Sequence, residues 1–451
     1  MASDGYRHAG DVEVESATLI LSNQQVIDIS ELVAETNIYQ DLFNHYIEAD
    51  FVMNDSFNLF AQGCSGTEIV EISFRNKVGP EASPQPKFIR HVFFVYEITD
   101  KQRISEFKEA YIMNCVSFER YQTIPEKISR SYGPSSIKDM VQKINSEFIY
   151  NDSAKTFYRE LSKITNYTKI KEGIFDETSG QFQYVIPNMV IDDAIDFLSS
   201  ESDSNDHIPF YTFYEDANGF NFRNISNLIS QPIAATYHHL PTKTDALERD
   251  AINDRQNDSA QNFDDTFKII SYNVVKQNNI LQNTNSGMYK SKSIDIDIHR
   301  RKANISTFDY DKYSDKFKFI QNKILGGSDG SPVVSLGTSR KGHESDKLLS
   351  VENHLPKRTD QTKPITDSYK RSIFNVVMEV IVPGSDTIII GQVIELMFYR
   401  TIGDEVRLDE YDKYLSGKYL ITKVRQKLTG AKTGVDYVTV IECTRDGIKE
   451  D

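Results

Sequence analysis

The sequence predicts a mainly β protein with an α+β middle region, built from two tandem-duplicated antiparallel β-barrel domains, the second split by an insertion. Three observations predict it. Strand-like segments follow one another without helices at both ends of the chain. The strand pattern near the C-terminus repeats, in order, the one near the N-terminus. Between the two, apolar residues switch to helical spacing.

The first barrel is placed at 11–122. Residues 12–30 hold two strands, carried by Val12 and Val14, then by Val26, Ile27 and Ile29. Residues 45–53 form another. Residues 67–75 are a clear strand in which Glu68 and Glu71 are the polar members. Gly79 to Pro86 holds three prolines and is a loop. Residues 88–99 and 109–120 complete a set that argues for a small antiparallel barrel or sandwich.

The middle α+β domain spans 123–263. Residues 124–130 and 136–149 are predicted helical. Ser135 or Ser136 caps the second, in which Ile137, Met140, Val141, Ile144 and Phe148 share a face. A further helix covers about 190–199, with Val190, Ala194, Ile195, Phe197 and Leu198. Residues 208–215 and 219–224 form a hairpin around Asn218-Gly219. Residues 241–263 are a polar linker.

The second barrel takes 264–300 and 375–447. Its strands are expected at 266–280, 289–299, 374–382, 386–399, 416–428 and 435–444. Ser293-Ile294-Asp295-Ile296-Asp297-Ile298 alternates strictly, as a half-buried strand does. The insertion at 301–374 lacks clear periodicity and reads as loop-rich, ordered in part only within an assembly.

The repeat is co-linear. Ile69-Val70-Glu71-Ile72-Ser73-Phe74 matches Val393-Ile394-Glu395-Leu396-Met397-Phe398 at an offset of 324. The strand from Val92 to Ile98 matches Lys418 to Val424. Tyr111-Ile112-Met113-Asn114-Cys115-Val116 matches Tyr437-Val438-Thr439-Val440-Ile441-Glu442 at an offset of 326. Upstream, 45–53 is expected to correspond to 291–299. A period this long is a domain duplication rather than a solenoid. Two similar units per chain, closed head to tail as a cyclic trimer, give six around one axis.

Composition narrows the function. The net charge of -15 over 451 residues disfavours gripping nucleic acid, which needs clustered Lys and Arg, and also serves solubility. Tyr and Phe, at 24 and 26, favour strands. Cys64, Cys115 and Cys443 are few, distant and flanked by apolar runs, so buried reduced thiols are expected. Met1 to Gly5 shows no basic or apolar signal region, and no run reaches the ~20 apolar residues of a membrane span.

No catalytic, cofactor-binding or metal-binding residue emerges. Gly326-Gly327-Ser328-Asp329-Gly330 is glycine-rich but lacks the lysine and the strand–helix frame of a phosphate loop. His238 and His239 have no further ligands in view, and His299, His343 and His354 are scattered. Asp295 and Asp297 read as a solvated strand face, and Asp309-Tyr310-Asp311-Lys312-Tyr313 as a surface or interface stretch. No carboxylate stands out as the apolar-pocket acid that glycoside hydrolysis requires.

The run from Gly391 to Leu396, then Leu415 to Val424, then Tyr437 to Gly447, resembles the C-terminal barrel of baseplate hub proteins of contractile-tailed, T-even-like phages (myoviruses). Thr67-Glu68-Ile69-Val70-Glu71-Ile72, Ser135 to Met140, Pro209 to Glu215 and Gly219 to Arg223 are similar to other parts of such hubs. The resemblance leaves out 241–263 and 301–374. It implies tube-type barrels in a homotrimeric, pseudo-hexameric ring. That ring joins the hexameric tail tube to the trimeric central spike and lets DNA pass. The implied partners are other copies of the chain, the tail tube protein, the central spike protein, and the baseplate wedge and tape measure proteins. The implied location is the virion baseplate, assembled in the host cytoplasm. The implied role is structural, with no enzyme activity, no catalytic residues and no cofactor. A glycan- or receptor-binding tail module, or a peptidoglycan hydrolase, stands as the alternative.

Overall fold

The computed structural model describes residues 10–76, 88–106, 108–164, 173–204, 208–239, 266–297, 301–324, 333–338, 359–402, 405–430 and 435–447. The first half contributes β1 (Val12–Ile20), β2 (Val26–Asp28), β3 (Val33–Asp41), β4 (Glu48–Asp55), β5 (Ile69–Asn76), β6 (Ile89–Ser105) and β7 (Lys108–Ser117). The middle region adds β8 (Lys127–Ser135), β9 (Phe182–Val190), β10 (Tyr211–Asp216), β11 (Gly219–Asn224) and β12 (Ile233–His239). The second half adds β13 (Ser271–Gln277), β14 (Lys290–Asp297), β15 (Lys302–Asp309), β16 (Val333–Thr338), β17 (Val376–Pro383), β18 (Val393–Ile402), β19 (Glu405–Tyr411), β20 (Gly417–Thr429) and β21 (Asp436–Arg445).

Period-two alternation makes these strands. In β7, Tyr111, Met113 and Cys115 enter the core while Ile112 and Asn114 face the other side. In β21, Tyr437, Thr439, Ile441 and Cys443 do the same. Fully burying a large apolar side chain contributes about 1.5–3 kcal/mol, so each such strand is fixed in register by its inner face.

The duplication is visible in the pairing. In the first half the order is β3-β4-β7-β6-β5, and in the second it is β13-β17-β21-β20-β18, every pair antiparallel. A sixth strand flanks each set with opposite sense: β1 runs antiparallel to β5, β12 parallel to β18. Ile69 pairs with Phe94 as Val393 pairs with Leu420, which preserves the offset of 324 for the first matched strand and 326 for the second. Both β6 and β20 carry a bulge at the same place, Tyr96 in one and Thr422 in the other.

Four details differ from the sequence reading. The third matched strand is displaced by two residues: Cys115 lies opposite Val95 and Cys443 opposite Ile421, which makes these cysteines equivalent at an offset of 328. A two-residue slip keeps the same face inward, so the apolar pattern hides it. The equivalent of β4 is β17, not 291–299. The strand β14 instead joins β15 and β16 in a separate three-stranded sheet. Within 301–374 the structure has β15, β16 and a 15-residue helix, Thr359–Ile373, rather than loops alone. Residues 124–130 do not continue a helix. The helix Phe118–Thr123 stops before Pro125, and Lys127 onwards pairs with β9. Pro134 and Pro187 sit at the two bulges of that ladder, where no hydrogen bond is lost.

Among the described residues the strand ladders close neither half on itself, although His238 of β12 exchanges hydrogen bonds with Phe267 and Ile269, just ahead of β13, at 2.9 and 2.8 Å. Among the described residues both halves lie in one 14-stranded sheet, joined where β20 pairs with β3. The cores interlock across that seam. Leu428, Val435 and Tyr437 from the C-terminal end pack in the core of the first half with Phe51, Phe74 and Met113. Leu42 from the first half packs with Ile394, Tyr419 and Ile421 in the core of the second. The middle region has its own core, including Met140, Ile144, Ile195, Leu198, Phe213 and Phe222, and Tyr46 and Val116 reach into it from the first half.

Candidate assembly interface

The seam is built by the long strand β20. Its first residues, Gly417 to Leu420, pair with β18; the rest, Lys423 to Thr429, pairs with β3. Thr429 lies opposite Glu35 and Lys423 opposite Asp41. The bulge at Thr422 turns the strand between its two neighbours, and the Thr422 carbonyl accepts the Leu42 N–H at 2.8 Å.

One face of the seam is charged. Lys427 Nζ lies 2.9 Å from Glu35, Arg425 Nη2 3.5 Å from the same carboxylate, and Lys423 Nζ 3.5 Å from Asp41 and 3.7 Å from Glu442. Arg425 Nε donates to Asn37 at 2.9 Å, and Asn37 and Tyr39 donate to Asp50 at 2.6 and 2.7 Å. Burial works to raise the Glu35 carboxyl, but the Lys427 ammonium and the Asn37 amide outweigh it and hold it below its ordinary value. Burial and the Asp50 carboxylate push the Tyr39 hydroxyl up to about 12. Cross-strand register carries this face outwards through Asp50, Asn114 and Glu97 on one side and Glu442 and Glu379 on the other. Carboxylates outnumber the basic groups on it, and Lys423, Arg425 and Lys427 sit at the seam itself.

A second charged cluster ties the first half to the middle region. The buried His45 lies on the β3–β4 turn, its Nε2 3.0 Å from Asp196 and its Nδ1 3.6 Å from Asp192, both on the helix Ile191–Glu201. Tyr46 donates to Asp192 at 2.9 Å, and Arg120 pairs with the same carboxylate. Burial alone would lower the His45 pKa; Asp192 and Asp196 overcome it and hold the ring at about 9.

The residues weighed from sequence do not converge. His238 and His239 are the last two residues of β12. As strand neighbours they point to opposite faces, His238 stacking with Tyr399 and His239 edge-on to Tyr272. Asp295 and Asp297 pair with Asn304 and Lys302 in the small sheet. Asp309 caps a single turn, Tyr310–Tyr313, in which Asp311 and Lys312 are exposed as a surface stretch would be, while Tyr310 is buried between Tyr289 and Phe317. Gly326 to Gly330, His299, His343 and His354 lie outside the described residues. Cys64, Cys115 and Cys443 are buried and unbridged, and burial pushes all three thiols up, Cys64 to about 12. Among the described residues no group of three or more His, Cys, Asp or Glu is placed to hold a metal. No described helix is long and apolar enough to cross a membrane.

Sequence reasoning missed β3, the strand on which the seam depends. Its core-side residues include Thr36 and Gln40, and Asn37 on the other face is also buried. The apolar alternation that marks the other strands is therefore broken.

No family model and no curated protein matches the chain by sequence. Solved structures do match. A prophage MuSo2 43 kDa tail protein from Shewanella oneidensis superposes with a TM-score of 0.52 at 9% identity, over 97% of this chain and 100% of that one. The tail protein from Neisseria meningitidis MC58 superposes with a TM-score of 0.51 at 8% identity, over 96% of this chain and 97% of that one. The chain has the fold of phage tail proteins. That is the mainly β, duplicated fold the sequence resemblance to baseplate hubs implied.

Proposed function

We propose that the chain is the structural hub subunit of a contractile phage tail baseplate. Three copies form a pseudo-hexameric ring that joins the hexameric tail tube to the trimeric central spike. The observation that carries this reading is the repeated strand order within one sheet. One chain supplies two equivalent units already joined side to side, and three such chains supply six. A ring of that symmetry presents a matching face to a six-fold tube and to a three-fold spike. The polar, net acidic face that crosses the seam suits a lumen through which DNA passes without being held, because it offers phosphates few partners. The partners are other copies of the chain, the tail tube and central spike proteins, and the wedge and tape measure proteins around them. The role is structural and located in the virion, with assembly in the host cytoplasm.

Native mass spectrometry and electron microscopy of the purified protein test this. The expected result is a trimer with a six-fold outline, and purified peptidoglycan left unhydrolysed. A monomer at every concentration overturns the reading.

A further inference from the structure

The cores of the two halves meet along a buried polar row. On the inner side of β3, Gln40 stands between Ile38, in the core of the first half, and Leu42, in the core of the second. On β20, Gln426 stands between Leu428 and Val424, which belong to the same two cores in turn. On β21, Thr439 stands between Tyr437 and Ile441 in the same way. The three strands are neighbours, and Gln40, Gln426 and Thr439 are 4%, 3% and 0% exposed. Gln426 lies opposite Thr439 on one side and opposite Ile38 on the other. Gln40 lies opposite Val424, so the two glutamines are diagonal neighbours on one face.

Buried polar atoms need partners. Thr439 has one, since its hydroxyl oxygen accepts the Ser385 N–H at 3.1 Å. The Oε1 atoms of Gln40 and Gln426 are buried and accept from no group among the described residues. Both are acceptors only, so neither can satisfy the other. Diagonal neighbours across a strand pair stand about 7–8 Å apart, a span that two glutamine side chains and one small bridging molecule fill.

We infer that the seam encloses an ordered water, which donates one hydrogen to Gln40 Oε1 and the other to Gln426 Oε1. A buried water is held by about two to four polar partners, and the two amides supply two. A cation such as calcium takes about six or more oxygens, and this face offers two neutral ones. The seam carboxylates Glu35 and Asp41 alternate to the opposite face, where the lysines hold them. The water therefore ties β3 to β20 from the inner side, as Lys427 and Lys423 do from the outer. The site lies within one chain and does not depend on the ring proposed above.

A structure of the purified protein at a resolution that shows ordered solvent tests this. The expected result is density about 2.7–3.2 Å from both Oε1 atoms. A direct hydrogen bond between the two amides, no density between them, or density with five or more oxygen contacts overturns the inference. Denaturant titration of Gln40→Leu, Gln426→Leu and the double variant is a second test. Each single variant should raise the unfolded-to-folded ratio about tenfold, because the bridge loses one end. The double variant should come within about threefold of wild type, because it leaves no acceptor unpaired and fills the row with apolar side chains. Single losses that multiply to about a hundredfold in the double variant overturn the bridge. The wild-type structure decides alone where a variant fails to fold.

Discussion

Lys423 Nζ lies 3.5 Å from the Asp41 carboxylate across the seam where the second half of the chain pairs with the first. Further along the same two strands, Arg425 and Lys427 converge on Glu35. The seam thus holds its cations on one strand and their acids on the other. Glu35→Lys should lower the unfolding free energy by about 1–2 kcal/mol, since it loses two partly exposed pairs and adds like-charge repulsion. The double variant Glu35→Lys/Lys427→Glu should recover about half of the loss. Denaturant titration at low salt reads both, and the difference should shrink in 1 M salt, where screening acts within about 3 Å.

Stability should fall as pH rises through the alkaline range. His45 is raised from 6.5 to about 9, so the folded state binds its proton more tightly than the unfolded chain does. The stabilisation is fully present below pH 6.5 and is lost as pH rises through about 9. The shift corresponds to roughly 3 kcal/mol. Thermal unfolding across this range should slope downward in the wild type, and His45→Gln should flatten it. An unchanged slope in the variant would assign the effect to other groups.

Gly384→Ala should be strongly destabilising. A Cβ there would lie 2.1 Å from Tyr437 Cδ1, and Tyr437 cannot yield, because it is buried and its hydroxyl donates to the Ser385 carbonyl at 2.9 Å. Overpacking of this kind costs about 1–3 kcal/mol. Gly133→Ala, which meets nothing within 4 Å, should stay within about 0.5 kcal/mol of wild type. Calorimetry on the two variants separates local crowding from a general glycine effect.

What the sequence made legible was governed by local pattern. The Val393–Phe398 strand and its match at Ile69–Phe74 are apolar on alternate positions, so both the strands and their offset were readable. The bulges at Tyr96 and Thr422 were not, because a bulge changes register without changing which face is apolar. β14 alternates as well as any strand in the second half, yet it joins another sheet, and alternation says nothing about which neighbour a strand takes. β3 stayed hidden because Thr36, Asn37 and Gln40 are buried polar residues. The seam was therefore the part least visible in the sequence, although it joins the two repeats.

Asp446 stitches the insertion to the end of β21, and its removal should loosen that segment selectively. Its carboxylate accepts the backbone N–H groups of Ile320, Gln321, Asn322 and Gly447 at 2.5, 2.9, 3.0 and 2.7 Å. Its backbone carbonyl accepts from Asn375, which in turn accepts from Asn283. Burial raises the Asp446 pKa, and the four donors oppose that rise. Asp446→Asn keeps the shape but turns one acceptor into a donor facing donors. It should cost about 2–4 kcal/mol, as expected when buried N–H groups lose a charged acceptor. Hydrogen exchange locates the effect: protection at Ile320, Gln321 and Asn322 should drop, while the paired amides of β20 and β21 keep theirs. Equal loss across β20 and β21 would mean that Asp446 supports the whole sheet and not the insertion alone.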